Sequence, residues 1–520
     1  MPPFRVAIVG AGIGGLSAAA VLAARGAEVT VYESAARPGG KMRQIEIGGL
    51  PIDAGPTVFT MRWVFDELFA ATGHRLDDLV RLLPVTTLAR HAWNERERLD
   101  LYADTRRSAD AIAAFAGPGE ARGYLAFCEA ARRTYTALQR TFLTAEQPSM
   151  PGLVARMGMS GLRNFTHANP MASLWSELGR YFKDPRLRQL FGRYATYVGS
   201  SPFEAPATLM LIAHVEQDGV WLVEGGMHRI AAALAAVVED LGGRIHYGTQ
   251  VAGISTADGA ANGVVLADGE RIAAEAVVFN GDAAALAKGL LGAEARRALP
   301  GHGEPPRSLS AMTWVMRADA SGFPLLRHSV FFSQDYQAEF AALVAGRRMP
   351  DDPTVYICAQ DRTDQDGPPD ASPERLLCLI NAPATGDSPA ASAHAAWFEP
   401  RETDRCLERM TRRLAACGLS LDTTPARTIA TTPRGFDRLF PGSGGALYGR
   451  ASHGWMASFQ RPGARTKIKR LYLAGGSVHP GAGVPMAALS GRLAAESLLK
   501  DRTSPRRYRP AAMPGGTSTG

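Results

Sequence analysis

The chain has 520 residues, 46% of them hydrophobic, 21% charged and 8% aromatic. That length exceeds one simple core and that composition excludes disordered and fibrous classes, so two or more interleaved globular domains are expected. Part of the net charge of +7 sits in the tail, where Arg502, Arg506, Arg507 and Arg509 outnumber Asp501; this suits a solvated tail or an anionic membrane surface, and no nucleic-acid partner is expected.

Five cysteines (Cys128, Cys358, Cys378, Cys406 and Cys417) are odd in number and widely spaced, with no CxxC or Cys/His cluster. They read as buried small hydrophobes in a reducing compartment, without a disulfide framework or a metal site. No uninterrupted apolar run reaches the roughly 20 residues that span a bilayer, and MPPFRVAIVG leads straight into a strand rather than a signal sequence. The expectation is a soluble or peripheral protein.

Along the chain, residues 4–9 form a short apolar run broken only by Arg5, then a glycine turn, then the alanine-rich stretch 16–24. Strand, turn and helix follow directly. Gly26 stops the helix, and residues 28–32 alternate into a second strand that ends at Glu33, which completes one βαβ unit. Residues 76–104 are mixed, 110–193 helical apart from a Pro/Gly/Met-rich stretch at 147–161. A second nucleotide-binding-like region opens near Val220, with a turn at Gly225 and Gly226, a helix to Leu241, and strands near 245–247 and 277–280. Residues 286–433 are mixed again. A strand at 470–474, a glycine loop at 475–483 and a helix at 486–499 close the ordered chain, and 501–520 reads as a disordered basic tail.

Gly10, Gly12 and Gly15 spell GxGxxG between the first strand and helix. Such glycines permit a tight turn, a close approach to pyrophosphate and close helix packing, while the helix N-terminus offers amide donors and a positive dipole. Gly14 lies within the same turn. Glu33 ends the second strand, placed to accept from a ribose hydroxyl. Arg37, Gly39, Gly40 and Lys41 then set two glycines beside two cations, and Gly55 and Pro56 add another glycine turn. That arrangement suits a ligand continuing past ADP, a flavin rather than a nicotinamide. Gly475 and Gly476 open the C-terminal loop, and Val484, Pro485 and Met486 start its helix, whose positive end would favour charge near flavin N1 and O2. Val251 completes the expected cofactor set. His479 in that loop is a candidate catalytic residue, although a loop histidine is more often a hydrogen-bonding strut.

GAGIGGLSAAAVLAARGAEVTVYE, RPGGK, DAGPTVF, TYVGSSPFEAPA (196–207), GVWLVEGGM (219–227) and AGGSVHPGAGVPMAALSGR (474–492) together resemble the bacterial phytoene desaturase family of carotenoid desaturases. The SVHPGAGVPMAALSGR ending is most similar to its hydroxyneurosporene (methoxyneurosporene) desaturase branch. The resemblance runs through most of residues 4–500; the opening motif is common to all amine-oxidase-like flavoproteins, whereas TYVGSSPF and HPGAGVP are much more specific.

The resemblance implies an α/β, α+β overall, amine-oxidase-like architecture. Segments 1–85, 205–285 and 434–500 would form a discontinuous Rossmann-like FAD domain, and 86–204 and 286–433 a mixed-sheet and helical region for substrate and membrane. FAD would take a hydride from an acyclic carotenoid and pass electrons to dioxygen or a quinone. The branch points to 3,4-desaturation of a 1-hydroxy or 1-methoxy carotenoid. Phytoene desaturation, amine or porphyrinogen oxidation by a related flavoenzyme, and a non-catalytic escort role are the alternatives. So apolar a substrate implies peripheral attachment to the cytoplasmic side of a bacterial membrane, for which residues 148–165, with Arg156, Arg163 and no acid, have a suitable composition. Proton acceptor and oligomeric state are open.

Overall fold

The computed structural model describes residues 4–146, 152, 155–156, 169, 171–300, 305–389 and 400–503. Most of 148–165, and the tail from 504 onward, lie outside the described residues.

Five short strands, β1 (Arg5–Val9), β2 (Glu28–Tyr32), β3 (Arg244–His246), β4 (Ala276–Phe279) and β5 (Leu471–Leu473), form one wholly parallel sheet in the order β3-β2-β1-β4-β5. The region near Val220 therefore extends the first βαβ unit instead of building a second one. Parallel strands covered on both faces need apolar side chains on both, and β4 is buried at every position. Val6, Ile8, Val29 and Val31 point toward three helices: α1 (Ile13–Ala24), α2 (His228–Asp240) and α3 (Val484–Thr503). Ala7, Val277, Phe279 and Leu473 face the other way, onto a small antiparallel sheet made from Val251–Ala257, Ala260–Leu266 and Arg271–Ala273.

Alanines and glycines in α1 let it lie close to α3. A Cβ on Gly491 of α3 would stand 2.1 Å from the Gly14 carbonyl, a separation no side chain tolerates. This crossing holds the two ends of the chain together.

A second sheet has seven strands, in the order Thr428–Thr431, Ser310–Ala318, Glu374–Ala382, Val355–Ala359, His328–Phe331, Thr87–Ala92 and Arg98–Tyr102. Strand alternation divides its faces. Leu376, Cys378 and Ile380 pack with Met410 and Leu414 of the helix Pro400–Ala415, while Leu377, Leu379 and Asn381 point to the opposite side, where a cavity lies. The helices Pro118–Leu138 and Leu211–Gln217 wall that cavity from another direction. All five cysteines are buried free thiols, and burial pushes that of Cys358 up to about 11. Among the described residues no helix is long and apolar enough to cross a membrane.

Candidate functional site

At the end of β1, Gly10 adopts φ +97° and donates its amide to the Tyr32 carbonyl at 2.8 Å. A Cβ on Gly12 would meet Asn280 Oδ1 at 2.7 Å, one on Gly14 would meet the Gly475 amide nitrogen at 2.8 Å, and one on Gly15 would strike the Gly10 carbonyl at 2.1 Å. These glycines are thus compelled by the protein's own packing as well as by any ligand. Asn280, which the sequence reading did not single out, ties the cradle together. Its amide donates to the Val9 carbonyl at 2.8 Å and its Nδ2 to the Ala474 carbonyl at 3.1 Å. The available signal was a polar residue directly after the buried strand AVVF.

Glu33 is buried at the end of β2, its carboxylate accepting from the amides of Ala11 at 2.7 Å and Ala35 at 2.8 Å. Val251 starts its strand two residues after Thr249, whose amide donates to the Glu33 carbonyl at 2.8 Å. The second glycine pair joins the first: the Gly39 amide donates to the Ala11 carbonyl at 2.8 Å, and a Cβ on Gly40 would approach the Gly12 Cα to 3.2 Å. Gly55 then lies against Lys41, its hypothetical Cβ only 1.9 Å from the Lys41 carbonyl. Arg37 is exposed, away from these contacts.

Lys41, Gly55 and Pro56 share with Val484, Pro485 and Met486 the lining of a cavity of about 450 Å³. Gly475 and Gly476 do not line it. Gly475 is at the Asn280 junction, and the Gly476 carbonyl accepts from Arg461 at 3.0 Å. Arg461 escaped the sequence reading too. It is buried, donates to the carbonyls of Tyr448, Arg450 and Gly476, and burial lowers its pKa to about 10. Burial likewise lowers that of Lys41, which donates to the Leu447 carbonyl at 2.6 Å. Asp282 is the acid that acts on both cations.

His479 is 2% exposed and outside the cavity lining, edge-on to Phe142 with ring centroids 5.0 Å apart. Burial pushes its pKa down to about 4, the backbone of Ala145 and Phe142 opposing in part. The imidazole is therefore neutral at physiological pH, and among the described residues neither ring nitrogen has a well-formed hydrogen bond. It packs under the loop, between Phe142 and Pro480, which do line the cavity.

Leu138, Phe142, Leu143, Ile212, Val215, Leu377 and Leu379 make most of the remaining wall apolar. Polar side chains interrupt it in places, and several of them form a hydrogen-bonded cluster. The Arg193 guanidinium donates to the Tyr197 hydroxyl at 3.2 Å, and Tyr197 and Tyr194 donate to the two oxygens of Glu216 at 2.9 and 2.7 Å. Tyr356 meets Thr57 Oγ1 at 2.6 Å and His328 Nδ1 at 2.8 Å. Burial raises the pKa of Glu216, with the two tyrosines and Arg193 acting against it.

The sequence matches the family described as flavin containing amine oxidoreductase over residues 13–318 and 344–499. It is 53% identical to the hydroxyneurosporene desaturase of Rubrivivax gelatinosus, covering 99% of this chain and 97% of that one, and 46% identical to the protein of the same name from Cereibacter sphaeroides, covering 96% and 98%. The chain belongs to that flavoenzyme family, and within it to the carotenoid desaturases. Cyclohexylamine oxidase from Brevibacterium oxydans shares the amine-oxidase-like fold, with a TM-score of 0.55 over 96% of this chain and all of the other at 16% identity.

The family's cofactor is FAD, and these residues fit it. Three successive glycine turns pack closely at the mouth of β1, so that no glycine side chain stands between backbone and ligand there, and beyond it Lys41 and Arg461 are among the cations that line the cavity. That is a path from a dinucleotide cradle to a site able to balance negative charge.

Proposed function

We propose that this protein is a carotenoid desaturase acting at the 3,4-bond of an acyclic carotenoid oxygenated at carbon 1. The observation that supports it most is the largely apolar cavity lined jointly by the cofactor turns and by the substrate-side sheet and helices. Gly10, Gly12, Gly14, Gly15, Glu33, Gly39, Gly40 and Val251 would hold the ADP half of FAD. Lys41, Gly55, Pro56 and residues 484–486 would surround its ring; Arg37, Gly475 and Gly476 would act from the rim. Bound FAD supplies the hydride acceptor for removal of one hydride and one proton from adjacent carbons.

What the chain adds is orientation and exclusion of water. Leu377 and Leu379 on the sheet and Ile212 and Val215 on the helix confine a polyene, so that one C–H bond is held in place while the rest of the wall stays dry. Lys41 and Arg461, with Asp282 between them electrostatically, leave excess positive charge where the loop ends. His479 has no part in the chemistry on this reading.

The domain division that fits is a cofactor unit from 1–85, 205–285 and 434–500 and a substrate unit from 86–204 and 286–433. Dioxygen or a quinone would reoxidise the enzyme. Peripheral attachment to the cytoplasmic face of the membrane goes with so apolar a substrate, and the composition of residues 148–165, which follow in sequence the helix carrying Tyr135 and Leu138, suits an interface. Chromatography of products from purified enzyme given hydroxyneurosporene and phytoene in separate incubations tests the substrate. A product with one more double bond from the first, and none from the second, is expected; conversion of phytoene alone would refute the assignment.

A further inference from the structure

We propose that Arg193, braced by Tyr197 and Glu216 in the cavity wall, is the anchor that hydrogen-bonds the oxygen on carbon 1 of the carotenoid and so selects oxygenated chains over hydrocarbons. This rests on the desaturase reading above.

The guanidinium carries five N–H donors. Among the described residues it has a single hydrogen-bond partner, the Tyr197 hydroxyl, and no carboxylate within ion-pair distance. Its group lies over the rings of Tyr197 and Tyr356, each centroid 5.3 Å away, and it faces the cavity. Glu216 does not satisfy it directly: its two oxygens accept from Tyr194 and Tyr197, and Tyr197 stands between the carboxylate and the guanidinium. Donors left over in an apolar chamber call for an acceptor from the ligand, since buried polar groups without partners are costly. With Glu216 close enough to offset the charge, a neutral oxygen suits the site better than an anion. A hydroxyl and a methoxyl both offer such an oxygen to a group that only donates; a hydrocarbon end offers none.

Position agrees with the chemistry. In a chain oxygenated at carbon 1 and desaturated between carbons 3 and 4, anchor and reacting bond are two carbons apart, so the anchor must be beside the cofactor and not at the distant end of a channel. Arg193 stacks on Tyr356, Tyr356 bonds Thr57, and Thr57 follows the Gly55–Pro56 turn that adjoins Lys41.

The test uses FAD-loaded enzyme and two acyclic carotenoids of equal length, one with a 1-hydroxyl and one without, with kcat and KM measured for each. Wild type should prefer the hydroxylated chain. Arg193→Met should reduce that preference by about tenfold to a hundredfold, mainly through KM, and Arg193→Lys should restore much of it. Flavin-to-protein ratio and visible spectrum report folding; if Arg193→Met loses its flavin, Tyr197→Phe, which removes only the brace, should still lower the preference. An unchanged preference in the folded variants, or equal losses on both substrates, overturns the anchor. A wild type that converts both chains equally also overturns it while leaving the desaturase reading intact, whereas a wild type that converts neither removes both.

Discussion

Single atoms decide much of this molecule. The carbonyl of Gly10 leaves no room for a Cβ on Gly15, and the carbonyl of Lys41 leaves none on Gly55. These constraints were visible in the sequence because glycine is the one residue whose side chain cannot intrude. Glu339 shows what was invisible. It is 2% exposed, and Ser333 and Thr354 donate to one of its oxygens at 2.6 Å each and the Thr354 amide to the other at 3.1 Å. Burial nevertheless outweighs these donors and pushes its pKa up to about 7. The folded protein therefore keeps this proton to higher pH than the unfolded chain, so the carboxyl subtracts stability as pH rises from about 4.5 and subtracts most above about 7. Glu339→Gln should raise the unfolding free energy by more at pH 8 than at pH 5, the difference amounting to roughly 1–3 kcal/mol. Unfolding curves at the two pH values check this, and a gain that does not grow with pH contradicts it.

At the scale of elements, the strands and helices with a strong period or sharp punctuation were legible. β1, α1 and β2 follow from one apolar run, one glycine turn and one alanine-rich stretch, and α3 begins at Val484, with Pro485 in its first turn. The seven-stranded sheet was not legible. Its two longest strands, Ser310–Ala318 and Glu374–Ala382, pair with each other, and both carry apolar side chains on both faces: Met312, Trp314, Leu376 and Cys378 toward a helix, Val315 and Leu377 toward Ile47, Ile52 and Ala54, with Leu377 and Leu379 also lining the cavity. Period-two alternation disappears from such a sequence. The polar cluster stayed hidden for a related reason: Arg193, Glu216 and Tyr356 come from three elements and meet only when the cavity closes. For residues 148–165 it is the sequence alone that supports a role. Exchanging Met157, Met159 and Leu162 for glutamate should sharply reduce sedimentation with anionic liposomes while flavin content stays the same, and unchanged partitioning would rule out that segment as the membrane contact.

Across the whole molecule, one parallel sheet drawn from both ends and the middle of the chain places the cofactor turns against a sheet and helices contributed by the segments between. Because β5 and α3 come from the last fifth of the sequence, the cavity cannot be complete until the C-terminus has joined β4 and α1. Coupling between distant segments is what joins a dinucleotide cradle to a mostly apolar cavity. The claim most in need of measurement is that this chamber transfers a hydride from an oxygenated acyclic carotenoid to bound FAD. Purified protein loaded with FAD, mixed anaerobically with hydroxyneurosporene and followed in the visible region, should lose the oxidised-flavin band as the polyene absorption moves to longer wavelength. A flavin band that persists while the carotenoid remains unchanged would contradict it.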